Sequence, residues 1–211
     1  MAFLRFLGKL LISVGLGVLM FVGWTLWGTG LYTEREQARL EKEFNRAPSS
    51  RASGSGLPPA GYAPVPGEPV FRMEIPSIDL SRIVVEGVGT EELRRAPGHY
   101  PSCRKGFGRP LCTPFPAIFP GEPGRVVVSG HRTTYGAPFW AINELAAGDP
   151  INVATKWGDF TYKVTKKDVV NPNSPFVIRQ SEKEEIVLTT CNPRFSAAER
   201  LIVYASMSRS A

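Results

Sequence analysis

At 211 residues, with 43% hydrophobic and 21% charged side chains and with 12 Phe, 6 Tyr and 4 Trp, the chain is long enough for one domain with appendages and apolar enough to bury a core, which excludes a wholly disordered protein. The formal charge of +6 divides evenly along the chain, 18 basic against 15 acidic residues from Glu68 onward and 7 against 4 before it. No Lys/Arg cluster forms a phosphate-reading patch, so nucleic acid is excluded as a partner, and a mildly basic domain beside an anionic wall or membrane is the plainer reading.

The first element is a membrane segment. Leu10 to Gly30 is 21 consecutive residues without a charge, which at 1.5 Å per residue spans about 31 Å, the thickness of a hydrocarbon core. Arg5 and Lys9 precede it, and Trp24, Trp27 and Tyr32 stand at its far end, where amphipathic rings favour the interface. A cleaved signal peptide is the alternative, but its apolar region is shorter and ends in a small-x-small site, which Trp24-Thr25-Leu26-Trp27 does not resemble. Residues 1–9 are therefore read as a cytoplasmic N-terminus and 10–31 as a retained single-pass anchor. Arg35, Arg39 and Lys42 blunt the positive-inside asymmetry. The outside placement of the domain leans instead on the cysteines discussed below.

Residues 32–67 connect the anchor to the domain. Thr33 to Phe44 is rich in charges and helix formers, with Thr33 and Glu36 in capping-box spacing, and predicts a short juxtamembrane helix acting as a solvated stalk. Asn45 to Gly67 is dominated by Pro, Gly, Ser and Ala without an apolar period and predicts an extended, mobile tether.

From residue 68 to 211 short Val- and Ile-rich runs alternate with Gly, Pro and Asp, the texture of an all-β domain. Strands are expected at Val70 to Ile75, Arg82 to Val88, Arg125 to Ser129, Pro150 to Thr155, Phe160 to Val170, Glu185 to Thr190 and Leu201 to Ser206. Short helices are expected at Thr90 to Arg95 and Pro138 to Leu145. Periodicity does not choose between barrel and sandwich, although seven or eight strands in so short a domain favour a barrel.

The inventory of reactive groups is small: His99 and His131, Cys103, Cys112 and Cys191. No Cys/His pair has zinc spacing and no G-x-S-x-G occurs, so no metal or cofactor is expected and a serine nucleophile is disfavoured. Cys191 closes the run Ile186-Val187-Leu188-Thr189-Thr190-Cys191 before Asn192-Pro193, and His131 closes Val126-Val127-Val128-Ser129-Gly130-His131 before a polar loop. Two such groups at strand ends can meet on a rigid rim as nucleophile and base. Arg200 opens the strand that must pair beside Cys191, where a guanidinium can donate to an oxyanion or a substrate carbonyl. Against this, a lone Cys or His in a β core is commonly an inert packing residue.

The runs Ser129-Gly130-His131-Arg132-Thr133-Thr134-Tyr135-Gly136, Leu188-Thr189-Thr190-Cys191-Asn192-Pro193 and Arg200-Leu201-Ile202-Val203, with Ile75-Pro76-Ser77-Ile78, Gly98-His99-Tyr100-Pro101 and Pro120-Gly121-Glu122, resemble the sortase family, most of all the class E sortases of high-GC Gram-positive bacteria. The resemblance covers about residues 68 to 208. It implies a β-barrel of about eight strands and a membrane-anchored cysteine transpeptidase with His131, Cys191 and Arg200 as its catalytic set. It further implies cleavage between Thr and Gly of an L-A-x-T-G-like signal on secreted proteins and transfer of the acyl group to a peptidoglycan-precursor amine. Thr190 would line the groove wall, Tyr135 would hydrogen-bond the signal backbone, and His99, in a loop, is the rival base. A cell-wall cysteine peptidase and a non-enzymatic wall-binding domain are the competing classes.

Ser102 to Phe119 departs from the family pattern as an insert carrying Cys103 and Cys112. With Cys191 required as a free thiol, parity and an oxidising compartment predict a Cys103–Cys112 disulfide across the Gly106-Phe107-Gly108 turn. Unpaired thiols are the alternative, since spacing does not fix a Cα distance.

Overall fold

The computed structural model describes residues 2–49, 56–103, 112–174 and 179–208. Helix α1 (Ala2–Gly23) leaves its apolar side chains exposed, Leu11, Ile12, Leu19 and Phe21 among them, and Phe3–Gly23 is long and apolar enough to cross a bilayer. A five-residue π-helical segment, Trp24–Gly28, joins it to α2 (Thr29–Arg46).

Thr33 therefore lies inside a helix and caps nothing, and the expected solvated stalk is a docked helix. On α2 the residues Thr33, Gln37, Leu40 and Phe44 recur every three or four positions and are all buried. Leu40 and Phe44 pack with Ile83, Val85 and Ala96 of the domain, and each apolar side chain so buried contributes roughly 1.5 to 3 kcal/mol. The Gln37 amide accepts from Ile83 N–H at 2.8 Å and donates to Ile83 O at 3.1 Å and Arg95 O at 3.3 Å. Glu34, Glu36 and Glu41 pair with Arg82, Arg95 and Arg72; such part-exposed pairs add little energy but fix the register of docking. The helix ends at Arg46, before Ala47 turns extended ahead of Pro48.

The second half of the expected tether is also tied down. Tyr62 sets its ring edge-on to Phe119 and Trp157, with centroids 4.9 and 5.0 Å away, and burial pushes its phenol pKa up. Gly67 N–H donates to Glu86 O at 2.8 Å.

Eight strands, β1 (Pro69–Ile75), β2 (Leu80–Glu86), β3 (Gly98–His99), β4 (Arg125–Ser129), β5 (Pro150–Ala154), β6 (Asp159–Val170), β7 (Glu185–Asn192) and β8 (Glu199–Met207), close into a barrel in the order β1-β2-β3-β4-β7-β8-β6-β5. Closure explains the period-2 pattern: Phe71, Met73 and Ile75, Val126 and Val128, Ile186 and Leu188, Val203 and Ala205 point inward to one core. The connection from β2 to the two-residue β3 carries α3 (Thr90–Arg95). The helix expected over Pro138 to Leu145 is reduced to turns and a single 3-10 turn, Ile142–Glu144. Its buried side chains, Phe139, Ile142 and Leu145, recur every three residues, the period of a 3-10 turn rather than an α-helix.

Candidate active site

Strands β4 and β7 run parallel side by side, with Arg125 opposite Glu185 and Ser129 opposite Thr189. The pairing continues past the strand: Gly130 N–H donates to Thr189 O at 3.2 Å, and the Thr190 hydroxyl donates to Gly130 O at 2.7 Å. Two residues beyond Ser129 and Thr189, His131 and Cys191 are thereby brought level at the carboxyl ends of adjacent strands. Gly130 is required at this step because a Cβ there would lie 2.7 Å from the Phe139 ring.

Alternation decides the face. Val126, Val128, Ile186 and Leu188 fill the barrel, whereas Val127, Val187 and Ile202 form a separate buried layer on its outer side, covered by Tyr100, Val170 and Tyr204. His131 and Cys191 share the parity of this outer layer, and Arg200 is the direct antiparallel partner of Cys191, so opposite residues lie on one face. Expected to meet, these three residues do gather on one outer rim. All three are half-buried, and Cys191 is a free thiol.

His131 is held by its own loop. Its carbonyl accepts from Phe139 N–H at 3.1 Å, and its ring lies 5.0 Å from the Tyr135 ring, tilted by 39°. Burial first, and then the positive charge of Arg94, lower its pKa below the ordinary 6.5, favouring the neutral imidazole. The Arg94 guanidinium sits 5.9 Å from the centroid of the Tyr135 ring.

Arg132, adjacent to the candidate base, was not singled out from the sequence, yet it is buried and braces the candidate nucleophile. Its Nη1 donates to Cys191 O at 3.1 Å and to Asn192 Oδ1 at 2.6 Å, and its Nη2 to Asn143 Oδ1 at 3.0 Å. Asn143 Oδ1 also accepts from Arg194 at 3.2 Å, whose guanidinium lies over the Trp140 ring. Arg200 donates from Nη1 to Ala197 O at 3.1 Å and Glu199 O at 3.0 Å. Those two bonds fix the guanidinium and leave Nε and Nη2 without a partner among the described residues. Tyr100, whose N–H donates to Val127 O, covers the same face. Burial raises its phenol pKa, against the opposing pull of Arg200 and a hydrogen bond with Ser129. Only its Gly-His-Tyr-Pro setting marked it in the sequence.

Other expectations are corrected. Thr190 does not line a groove: it is 2% exposed, points inward and spends its hydroxyl on Gly130 O. His99 is not in a loop but in β3, 1% exposed, with Nδ1 2.7 Å from the Glu86 carboxylate and Nε2 3.0 Å from Ile118 O. Both ring nitrogens are engaged internally, so it is a packing residue and no rival base. Among the described residues no group of three or more His, Cys, Asp or Glu converges as a metal site would require.

Cys103 and Cys112 are joined by a disulfide with Cα atoms 4.9 Å apart. The base of the insert is further closed by Cys103 N–H to Thr113 O (2.8 Å), Thr113 N–H to Pro101 O (2.9 Å) and Ala117 N–H to the Ser102 hydroxyl (2.6 Å). The expected Gly106-Phe107-Gly108 turn lies outside the described residues.

Comparison with known proteins gives one consistent result. The family description "Sortase domain" matches residues 73–208. Sortase D of Bacillus subtilis is 30% identical over 203 residues, covering 92% of this chain and 93% of its own. Sortase SrtE1 of Streptomyces coelicolor is 32% identical over 216 residues, covering 96% of this chain and 56% of that protein. Among solved structures, sortase E1 of Streptomyces coelicolor with a tripeptide in its active site matches with a TM-score of 0.58 at 30% identity, over 70% of this chain and 92% of that one. The sortase D5 transpeptidase of Clostridium perfringens shares the fold with a TM-score of 0.63 at 22% identity, over 84% and 98% of the two chains.

Proposed function

Because this chain belongs to the sortase family of cysteine transpeptidases, we propose that Cys191, His131 and Arg200 carry its reaction, and that the protein is a single-pass membrane enzyme with its barrel outside the cell. The observation that carries the reading is the parallel pairing of β4 with β7, which levels His131 with Cys191, together with Arg200 directly across from Cys191.

The Cys191 thiol gives its proton to the neutral His131 imidazole as the sulfur attacks the carbonyl between Thr and Gly of a sorting signal. The oxyanion so formed takes hydrogen bonds from the unpartnered Nε and Nη2 of Arg200. Collapse breaks the C–N bond, His131 protonates the departing glycine amine, and a thioester remains on Cys191. An incoming peptidoglycan amine then attacks the thioester and gives its proton to His131. The C–S bond breaks, the sulfur recovers a proton, and the new amide leaves. A lowered His131 pKa suits both halves, since it keeps an acceptor ready before attack and makes the imidazolium a strong donor after it.

The exposed apolar helix α1 supports the membrane anchor, and the Cys103–Cys112 disulfide favours an oxidising side for the barrel. An L-A-x-T-G-like signal is the proposed donor, with the Tyr135 phenol near its backbone. The test is the full-length enzyme in detergent with L-A-x-T-G or L-P-x-T-G peptides and an amine acceptor. Thr–Gly cleavage with acceptor joined, faster for the Ala peptide, is expected. Cleavage that persists in Cys191→Ala would overturn the mechanism, and equal turnover of the two peptides would remove the signal assignment.

A further inference from the structure

Tyr135, Gly136 and Ala137, in the loop that follows His131, have φ of 51°, 70° and 42° in succession. For Tyr and Ala such backbone costs of order 1 to 3 kcal/mol each and persists only where the surroundings impose it. Within the loop Ala137 N–H is satisfied by Thr134 O at 2.9 Å, but the Tyr135 N–H finds its acceptor in the membrane-proximal helix, the Thr29 hydroxyl at 3.1 Å. That hydroxyl is itself oriented: it donates to Thr25 O at 2.9 Å, which turns its lone pairs outward toward the loop.

One turn further on, the Thr33 hydroxyl lies 3.0 Å from Arg94 O and 3.2 Å from Thr29 O. It thus ties the last turn of α3, which carries the Arg94 side chain, to the same helix. The backbones close up as well, since a Cβ on Gly136 would stand 3.5 Å from Thr33 and one on Gly30 would stand 3.8 Å from Gly136. Of the two residues whose backbones are held in this way, Tyr135 sets its ring 5.0 Å from the His131 ring, and Arg94 brings its guanidinium 5.9 Å from the Tyr135 ring and its positive charge to bear on the imidazole.

We propose that the first turns of α2 are part of the active site, with Thr29 and Thr33 as positioning residues that hold Tyr135 and Arg94, and through them the His131 imidazole, in working geometry. The proposal rests on His131 as the acid and base of the reaction. It makes the continuation of the membrane anchor a component of the catalytic framework and not a tether to it.

The test uses the full-length protein in nanodiscs, comparing Thr29→Val, Thr29→Ser and Thr33→Val with wild type for kcat and KM on a sorting-signal peptide, thermal midpoint, and imidazole titration followed by NMR. Thr29→Val is expected to lose about tenfold or more in kcat, with KM changed less than twofold and a displaced His131 titration, because small misplacement of a reacting group is costly. Ser, which keeps the hydroxyl, should restore most of the loss, and Thr33→Val should reproduce the defect in weaker form. Wild-type kcat in both Val variants, a lowered midpoint with unchanged kcat per folded molecule, or failure of Ser to rescue would each overturn the latch. His131→Ala in the same assay separates the two levels. If it is inactive, failure of the latch leaves the acid–base assignment standing, and if it is active that assignment falls first and the latch with it.

Discussion

The guanidinium of Arg132 bridges the two strand ends of the site, donating across 3.1 Å to the main-chain carbonyl of Cys191, the residue level with its own neighbour His131. A planar fork that also holds Asn192 and Asn143 fixes where β7 ends, and a buried arginine left 6% exposed does so at the cost of desolvation, which lowers its pKa ahead of the repulsion from Arg194. Arg132→Met is expected to lower kcat/KM by about ten- to a hundredfold, because it frees the Cys191 carbonyl and orphans the Asn192 amide oxygen, while Asn143 keeps Arg194 as a donor. Arg132→Lys, a point charge without the fork, should recover only part of it. Steady-state kinetics beside thermal melts checks this, and unchanged kinetics in the Met variant would make Arg132 a bystander.

Cys191→Ala should give no acyl-enzyme by intact mass after incubation with peptide, while melting within about a degree of wild type. The half-buried thiol contributes little packing volume, so an inactive variant that is also unfolded would contradict the reading of this position.

Arg200→Ala should lose roughly two orders of magnitude or more in kcat, the scale of a lost oxyanion donor. Arg200→Lys should stay impaired, since an ammonium cannot both hold the Ala197 and Glu199 carbonyls and reach the substrate as the guanidinium does. A loss confined to KM would instead make Arg200 a binding residue.

Acid should destabilise the fold through His131. Its native pKa is lowered by burial and by Arg94, so below its ordinary pKa the unfolded chain binds the proton more readily than the folded one. Stability is therefore lost as pH falls from the ordinary value toward the lowered one. His131→Gln removes this linkage and should flatten the fall of the melting midpoint between about pH 6.5 and 5. Parallel curves for the two proteins would show that the imidazole titrates as it does in the unfolded chain.

Replacing Cys103 and Cys112 together by Ser should cost about 2 to 3 kcal/mol by the chain-entropy estimate for so short a loop, and so lower the melting midpoint by several degrees. Reductant should do the same to the wild type and nothing further to the double variant. A midpoint insensitive to reductant would mean that the bonds at the insert base, Cys103 to Thr113 and Thr113 to Pro101, hold it unaided.

Much of the barrel is legible residue by residue. Strand β4 is read at its observed bounds because Val126-Val127-Val128 is buried on both faces and ends at a glycine, and α3 because Thr90 to Arg95 is flanked by Gly89 and Pro97. Strand β3 is not legible, since two residues carry no periodicity and exist as a strand only through β2 and β4. The docking of α2 is hidden for a related reason: its inward stripe has two apolar and two polar residues, and the partners of Gln37, Glu34 and Glu41 lie between 31 and 58 positions away. His131, Cys191 and Arg200 stand out because each sits at a strand boundary. Arg132 does not, because nothing local distinguishes a buried arginine from a loop charge.

Strands β4 and β7 pair in parallel although 55 residues separate Ser129 from Glu185, and β5 and β6 close the far side of the barrel in between. Contacts so distant along the chain form late in folding, after the loop entropy has been met by nearer pairings such as β5 with β6. The thiol and the imidazole consequently have no encounter geometry in a partly folded chain. The candidate pair is therefore assembled only once β4 and β7 have found each other in register.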